Sequence, residues 1–402
     1  MSEPAPAALR GGQVYVALLR RPGARVLSLA CTLGWLGFAA TGLAIVLLVE
    51  AESGSFARAG LAVGLFSAGA GLFAPLRGRL VDRVGAPALV AFAASQCALL
   101  LVVVWTASPL VAGLAGAVAP PLIATARTVW PRVAGPELTR AGHGLNALLG
   151  DIGTVLGPAL AGGLVALAGP QVALAAFACG PLAGALLVAR HPALPPRERT
   201  PRRAPTAAAS PAPAVAHRRG SPFSPGLVTL LVAELALGVS AGAIDVAAPA
   251  LAGGAPGLSA LALSAMAVGS IFGSLWGGQS TIAADRRFVA GVVGMAVALA
   301  GCAFVTSSYA LAAVLLLAGV GYGVFNVGVF ELLDVVVPSH RAVEALTWLT
   351  TAGSLGMAAG AAAAGQLAHE SPRSALVLVA VATAPGAVIA LGRRRTLTTA
   401  RR

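Results

Sequence analysis

The stretch PLRGRLVDRVGAP, residues 75–87, packs Arg77, Arg79, Asp82 and Arg83 into a chain that is only 10% charged. The sequence on either side is almost wholly apolar, and the mean hydropathy of the chain is +0.86. About 20 helical residues cross the hydrocarbon core of a bilayer. Backbone in lipid must satisfy its own hydrogen bonds, so apolar runs of that length fold as helices. Working outward from residues 75–87, the pattern predicts twelve spans, over residues 27–49, 59–76, 88–106, 109–126, 145–168, 171–189, 226–248, 258–280, 288–306, 308–330, 345–367 and 374–392. The charged stretch is the turn between spans two and three of an all-α membrane protein.

Charge sets the expected orientation. All 27 basic residues are Arg, and 25 of them fall in the terminal segments and alternate loops that share one side. Arg58 and Arg373 alone fall on the other. Positive residues stay inside, which predicts a multi-pass protein of the cell membrane with both termini cytoplasmic. The net charge of +13 is then a topology signal. Nucleic-acid binding would cluster the Arg on a folded domain, so no nucleic-acid partner is expected. The N-terminus lacks the apolar core and cleavage site of a signal peptide.

Residues 190–225 are rich in Pro, Arg and Ala and offer almost no side chains for a core. They read as a disordered cytoplasmic linker, with its Arg near anionic lipid headgroups. The division is residues 1–189, a first six-helix bundle, and residues 226–402, a second. The bundles read as copies. A shift of 203 residues carries Gly153, Gly157, Gly162 and Leu164 onto Gly356, Gly360, Gly365 and Leu367, and Asp82-Arg83 onto Asp285-Arg286. Paired six-helix halves around a midplane cavity are the plan of many secondary transporters.

At residues 78–85 the chain resembles the major facilitator superfamily, whose loop between helices two and three carries G-x-L-x-D-R-x-G-R. Here stand Gly78, Arg79, Leu80, Asp82, Arg83 and Gly85, with Ala86-Pro87 in place of the final basic residue. The resemblance implies that Asp82 faces helix eleven of the other half and latches the halves on the cytoplasmic side. Physically, Gly85 ends the turn, Pro87 can open the next helix, and Asp82 suits a helix N-terminus. The superfamily's antiporter motif is similar to Gly144, Gly153, Gly157, Pro158, Ala161 and Gly162, with Ala161 in the place of a glycine. That resemblance implies a proton-exchanging exporter and a seal between the halves. Gly153 and Gly157 share a helix face where backbones can approach, and Pro158 removes a hydrogen bond.

Acids inside spans are functional hypotheses by default. Glu234 lies well inside span seven and is the leading proton-coupling candidate. Asp151 lies in span five, pointing away from the Gly153–Gly157 face, as either a proton site or the ion-pair partner of Arg127, Arg79 or Arg83. Asp245 lies near the outer end of span seven. Glu331 and Asp334 close span ten. Many drug–proton antiporters of the superfamily hold an Arg in mid-helix four; here the fourth span has only Arg127, at its end. Helices one, four, seven and ten line the cavity in the superfamily. The candidates there are Thr32 with Trp35, and Tyr322 with Asn326, each pair on one face.

No enzyme signature and no cofactor follow from the sequence. Cys31, Cys97, Cys179 and Cys302 are spaced for neither metal nor disulfides and read as packing residues. His143, His191, His217, His340 and His369 lack ligand spacing. Gly319-Val-Gly-Tyr-Gly323 lies in an apolar helix without the Lys of a phosphate loop. The expectation is a monomeric carrier in contact with membrane lipids, exporting a small amphipathic molecule by alternating access and coupled to proton influx. The alternatives are an uptake or facilitative carrier of the same fold, and a non-transporting receptor or embedded enzyme.

Overall fold

The computed structural model describes residues 12–191, 224–337 and 342–397. Residues 192–223, most of the expected linker, lie outside the described residues, as do His217 and His340. The described chain is helical throughout. The first half holds α1 (Gly12–Leu19), α2 (Ala24–Ser53), α3 (Phe56–Leu72), α4 (Ala74–Val84), α5 (Ala86–Thr106), α6 (Pro109–Ala117), α7 (Leu122–Ala168) and α8 (Pro170–Ala189). The second holds α9 (Pro225–Leu251), α10 (Pro256–Gln279), α11 (Ala284–Ala300), α12 (Ser308–Val336), α13 (Ala342–Glu370), α14 (Pro372–Ala382) and α15 (Ala384–Gly392).

Local sequence explains most boundaries. Pro87, Pro170, Pro225, Pro256 and Pro372 stand in the first turn of their helices, where a missing N–H is harmless. The Ser55 and Ser224 hydroxyls cap α3 and α9 by accepting from Arg58 N and Leu227 N. Among the described residues ten helices are long and apolar enough to cross a membrane, and the pair α3–α4, bent by 49°, makes an eleventh. The twelfth is α13. Its 29 residues exceed the roughly 20 needed, but it is rich in Ala and Gly because it packs backbone-to-backbone on α9 and α3. The fold is therefore an all-α membrane protein of twelve spans in two pseudo-symmetric halves.

Three expectations need correction. Residues 77–84 are not a turn: α4 stays helical to Val84, and only Gly85, at φ 81°, turns the chain. Asp82 thus sits in the last turn of a helix, not at a helix N-terminus. The fourth span is not continuous. It breaks between Ala117 and Leu122, where Pro120 and Pro121 supply no N–H. The expected loop at 127–144 is helical and merges spans four and five into α7, with non-helical backbone at Gly135 (φ 70°, ψ 171°).

The repeat seen in the sequence is realised as packing. A Cβ on Gly153 or Gly157 would fall 2.6 Å from Trp35 Cβ or Ala39 Cβ of α2. A Cβ on Gly356 or Gly360 would fall 2.3 Å from Leu235 O or 1.9 Å from Val239 O of α9. The same shift turns the α7–α2 seam into the α13–α9 seam. Gly162 and Gly365 face the opposite half instead: Gly162 meets Pro256 and Ala260 of α10, and Gly365 meets Phe56 and Gly60 of α3. The antiporter-like glycines are therefore split in their work. Gly153 and Gly157 build one half, and Gly162 alone of these glycines meets the other half.

Candidate functional site

The twelve spans alternate in direction, so the bundle has a terminal end, holding Arg20 and Arg394, and a far end. The halves meet from the far end inward. Gly254 lies against the Glu50 carboxylate, Gly162 against Pro256 O, Gly60 against Ala361 O, and Gly64 against Ala358 O. Ser264 Oγ donates to Val155 O across the seam at 2.9 Å. Toward the terminal end these contacts run as deep as Gly71 against Ser354. Below that level Asp82 is exposed, and it makes no hydrogen bond or ion pair with the described residues. The contact expected between Asp82 and helix eleven is therefore absent from this conformation, in which the halves meet at the far end.

The wall of the second half brings together residues that the sequence offered separately. Glu234 projects from α9 with its Oε1 3.0 Å from where a Cβ on Gly353 of α13 would stand. A Cβ there would press on the carboxylate and shift it by a few tenths of an ångström. Tyr322 of α12 lies within electrostatic reach of Glu234, with Asn326 one turn further along the same helix. The Tyr322 ring also stacks on Phe325, centroids 6.3 Å apart, and Phe325 in turn packs on Phe288. Phe325 and Phe288 are buried, so the Tyr322 ring stands on a fixed base. Glu234 and Tyr322 are partly exposed. Eleven residues along α9, about three turns and 16 Å further, Asp245 repeats an acid on the same helix side. Neither acid has a basic partner among the described residues.

The remaining candidates lie elsewhere. Asp151 is exposed on α7 and pairs with no Arg among the described residues. It sits one turn on the terminal side of Val155, on the α7 side that faces α10. Trp35 fills the notch left by Gly150 and Gly153, and its buried Nε1 has no partner. It belongs to the α2–α7 seam rather than to the Glu234 cluster. Thr32 turns its hydroxyl back onto Ser28 O at 3.0 Å. Gly144 lies beside the Tyr15 hydroxyl of α1. Pro158 and Ala161 are buried in α7. Cys97 and Cys179 approach to 4.0 Å between α5 and α8, a contact that their spacing in sequence did not suggest.

Charged groups that the sequence reading assigned to loops turn out to be internal. Arg77, 6% exposed, donates from Nη1 to Gly116 O (2.8 Å) and Ala117 O (2.9 Å) and from Nη2 to Ala70 O (2.7 Å). Arg287 is buried; it pairs with Glu331 and donates to Ser280 O at 3.0 Å. Arg394 Nε bonds Asp285 Oδ2 at 2.7 Å. The equivalent of Arg394 under the 203-residue shift is His191, which contacts Gly23 O at 3.1 Å. Asp285 is consequently held within its own half, whereas Asp82 is not.

Residues 27–361 match the sequence profile of the Major Facilitator Superfamily. The chain belongs to that superfamily. It is a secondary transporter and not an enzyme. Among curated proteins it is 32% identical, over 191 residues, to the uncharacterized MFS-type transporter y4rN of Sinorhizobium fredii (strain NBRC 101917 / NGR234). That match spans 45% of this chain and 47% of the relative, about half of each. Solved superfamily structures share its fold. A bacterial homologue of the human lysosomal transporter Spinster, inward-facing and occupied, matches with TM-score 0.67 at 14% identity, covering 96% of this chain and 98% of that one. A bacterial homologue of the iron transporter ferroportin, inward-facing, gives 0.66 at 16%, covering 95% and 98%. The nucleoside transporter NupG gives 0.65 at 14%, covering 95% and 98%.

Proposed function

We propose that this transporter exports a small amphipathic molecule in exchange for protons, with its terminal end in the cytoplasm and Glu234 as the coupling acid. The observation that carries the reading is Glu234 itself. A carboxyl without a basic partner inside a bilayer is a site for a proton or a cation. Tyr322, Asn326 and the apolar wall beside it suit a ligand held by area plus a few hydrogen bonds. A proton taken up when the site faces outside and lost when it faces the cytoplasm would exchange with substrate at one place. The Arg bias supports the orientation, and the glycine pattern around Gly153–Gly162 supports export. An uptake or facilitative carrier is the second reading, favoured by the absence of an Arg in the middle of the fourth span.

The test uses everted membrane vesicles energised by respiration, with ethidium as the probe and a pH-sensitive dye for proton release on adding candidate substrates. Wild-type protein is expected to accumulate the probe and to release protons. Glu234→Gln is expected to abolish accumulation while keeping downhill exchange, because Gln preserves size and an acceptor but cannot titrate. Accumulation by Glu234→Gln at the wild-type rate would reject Glu234, leaving Asp245 and Asp151 as the acids to test. Probe movement out of everted vesicles under the same gradient would reject export.

A further inference from the structure

We propose that Arg77 is a positioning residue: it ties the break in the fourth span to α4, so that the cavity wall and the Asp82-bearing helix move as one piece. The break creates the need. In an unbroken α6 the carbonyls of Gly116 and Ala117 would accept from the N–H groups of residues 120 and 121. Both are Pro and have none. Gly116 O accepts instead from Ala119 N at 3.0 Å, and Ala117 O has no backbone donor among the described residues. Arg77 reaches both carbonyls of the broken end with one nitrogen and Ala70 O, in the last turn of α3, with the other. A cation is favoured there, because the C-terminal end of a helix carries partial negative charge. No carboxylate pairs with Arg77 among the described residues.

The neighbouring packing makes this point a hinge. Above Arg77, α3 and α6 are locked: a Cβ on Gly69 would fall 2.4 Å from Gly113 O, and one on Gly116 would fall 2.0 Å from Phe66 O. Below it, the second span bends by 49° into α4 and the fourth restarts as α7. Among the described residues the hydrogen bonds that join the two spans across the divergence are those of the Arg77 guanidinium.

The second half repeats the connection with different chemistry. The 203-residue shift carries Arg77 onto Ser280, whose carbonyl accepts from Arg287; Arg287 also pairs with Glu331 on the unbroken α12. Each half therefore runs a buried guanidinium from the neighbourhood of its charged loop to its fourth span. In the second half the loop acid, Asp285, is already taken by Arg394. In the first half Asp82 is unengaged, so a displacement of the fourth span reaches an acid that can still change partners. Coupling of this kind needs an element with two arrangements, and the Pro120–Pro121 break is that element.

The test needs no substrate, so its outcome is independent of the export reading. Full-length protein lacking Cys31, Cys97, Cys179 and Cys302 carries spin labels at Leu80 on α4 and Thr128 on α7, both exposed, in lipid nanodiscs. A single narrow distance distribution is expected with Arg77 present. Arg77→Gln should at least double its width, and Arg77→Lys, which can serve only part of the carbonyl set, should fall between. Because Arg77→Gln leaves Ala117 O without its donor and can misfold, it is also combined with Pro120→Ala and Pro121→Ala. The restored N–H groups serve the carbonyls of Gly116 and Ala117. The triple variant should regain thermal stability and still show the broad distribution, since the tether is absent. A narrow, wild-type distribution in Arg77→Gln or in the stable triple variant would overturn the proposal.

Discussion

Gly162→Ala should shift the conformational balance of the transporter without unfolding either half. The added Cβ would stand 2.5 Å from both Pro256 O and Ala260 Cβ. Ordinary contact begins near 3.4 Å, so α7 and α10 must separate by roughly 1 Å at the far end. Overpacking of this size costs about 1–3 kcal/mol. The contact lies between the halves and exists only while the far end is closed. The cost therefore falls on that conformation, lowering the ratio of far-closed to far-open protein by about five- to 150-fold. Gly157→Ala makes a similar clash, 2.6 Å from Ala39 Cβ, but within one half and so in both conformations. Gly163→Ala meets open space and serves as the control. The assay is a pulsed distance measurement between labels at Leu167 and Tyr309, both exposed at the far end, with a melting curve for each variant. Gly162→Ala should lengthen the distance with little change in Tm, and Gly157→Ala should lower Tm with little change in distance. The same distance distribution in Gly162→Ala as in wild type, or a Tm loss equal to that of Gly157→Ala, would refute the assignment of this seam to the gate.

Asp82→Asn is expected to impair transport at near-normal membrane abundance, since an exposed substitution away from packing costs within about 0.5 kcal/mol; normal transport by a well-expressed variant would remove the latch. Asp285→Asn should instead loosen the C-terminal turn, read as faster trypsin cleavage at Arg394 and Arg395; an unchanged rate would show that the Asp285–Arg394 pair holds nothing. Gly353→Ala places a Cβ 3.0 Å from Glu234 Oε1 and should force the carboxylate off its rotamer at about 1 kcal/mol. The expected result is a transport defect like that of Glu234→Gln with a near-native melting curve, and transport at the wild-type rate would argue that the carboxylate position is not critical.

The class, the twelve spans, the pseudo-repeat and the glycines at which helices approach were legible in the chain alone. These are local or periodic signals. A run of apolar residues must be a helix in lipid whatever surrounds it, and a glycine repeated at a constant offset marks the same close approach twice. What sequence could not reach depended on which groups the packing leaves without partners. Pro120 and Pro121 were visible, but not that the carbonyls at the break would be reached by Arg77 from another span. Asp82 and Asp285 are equivalent in the repeat and differ in their partners because Arg394 stands where the first half has His191. Glu234, Tyr322 and Asn326 were separate candidates until the rotation of α9 and α12 set two of them within electrostatic reach and Gly353 opened room for the carboxylate. The glycines of span five carried one pattern, yet helix rotation alone divided them between a seam inside one half and a contact between the two. Rotation, registry and the fate of stranded backbone groups are decided between elements far apart in the chain, and there the tertiary structure had the deciding part.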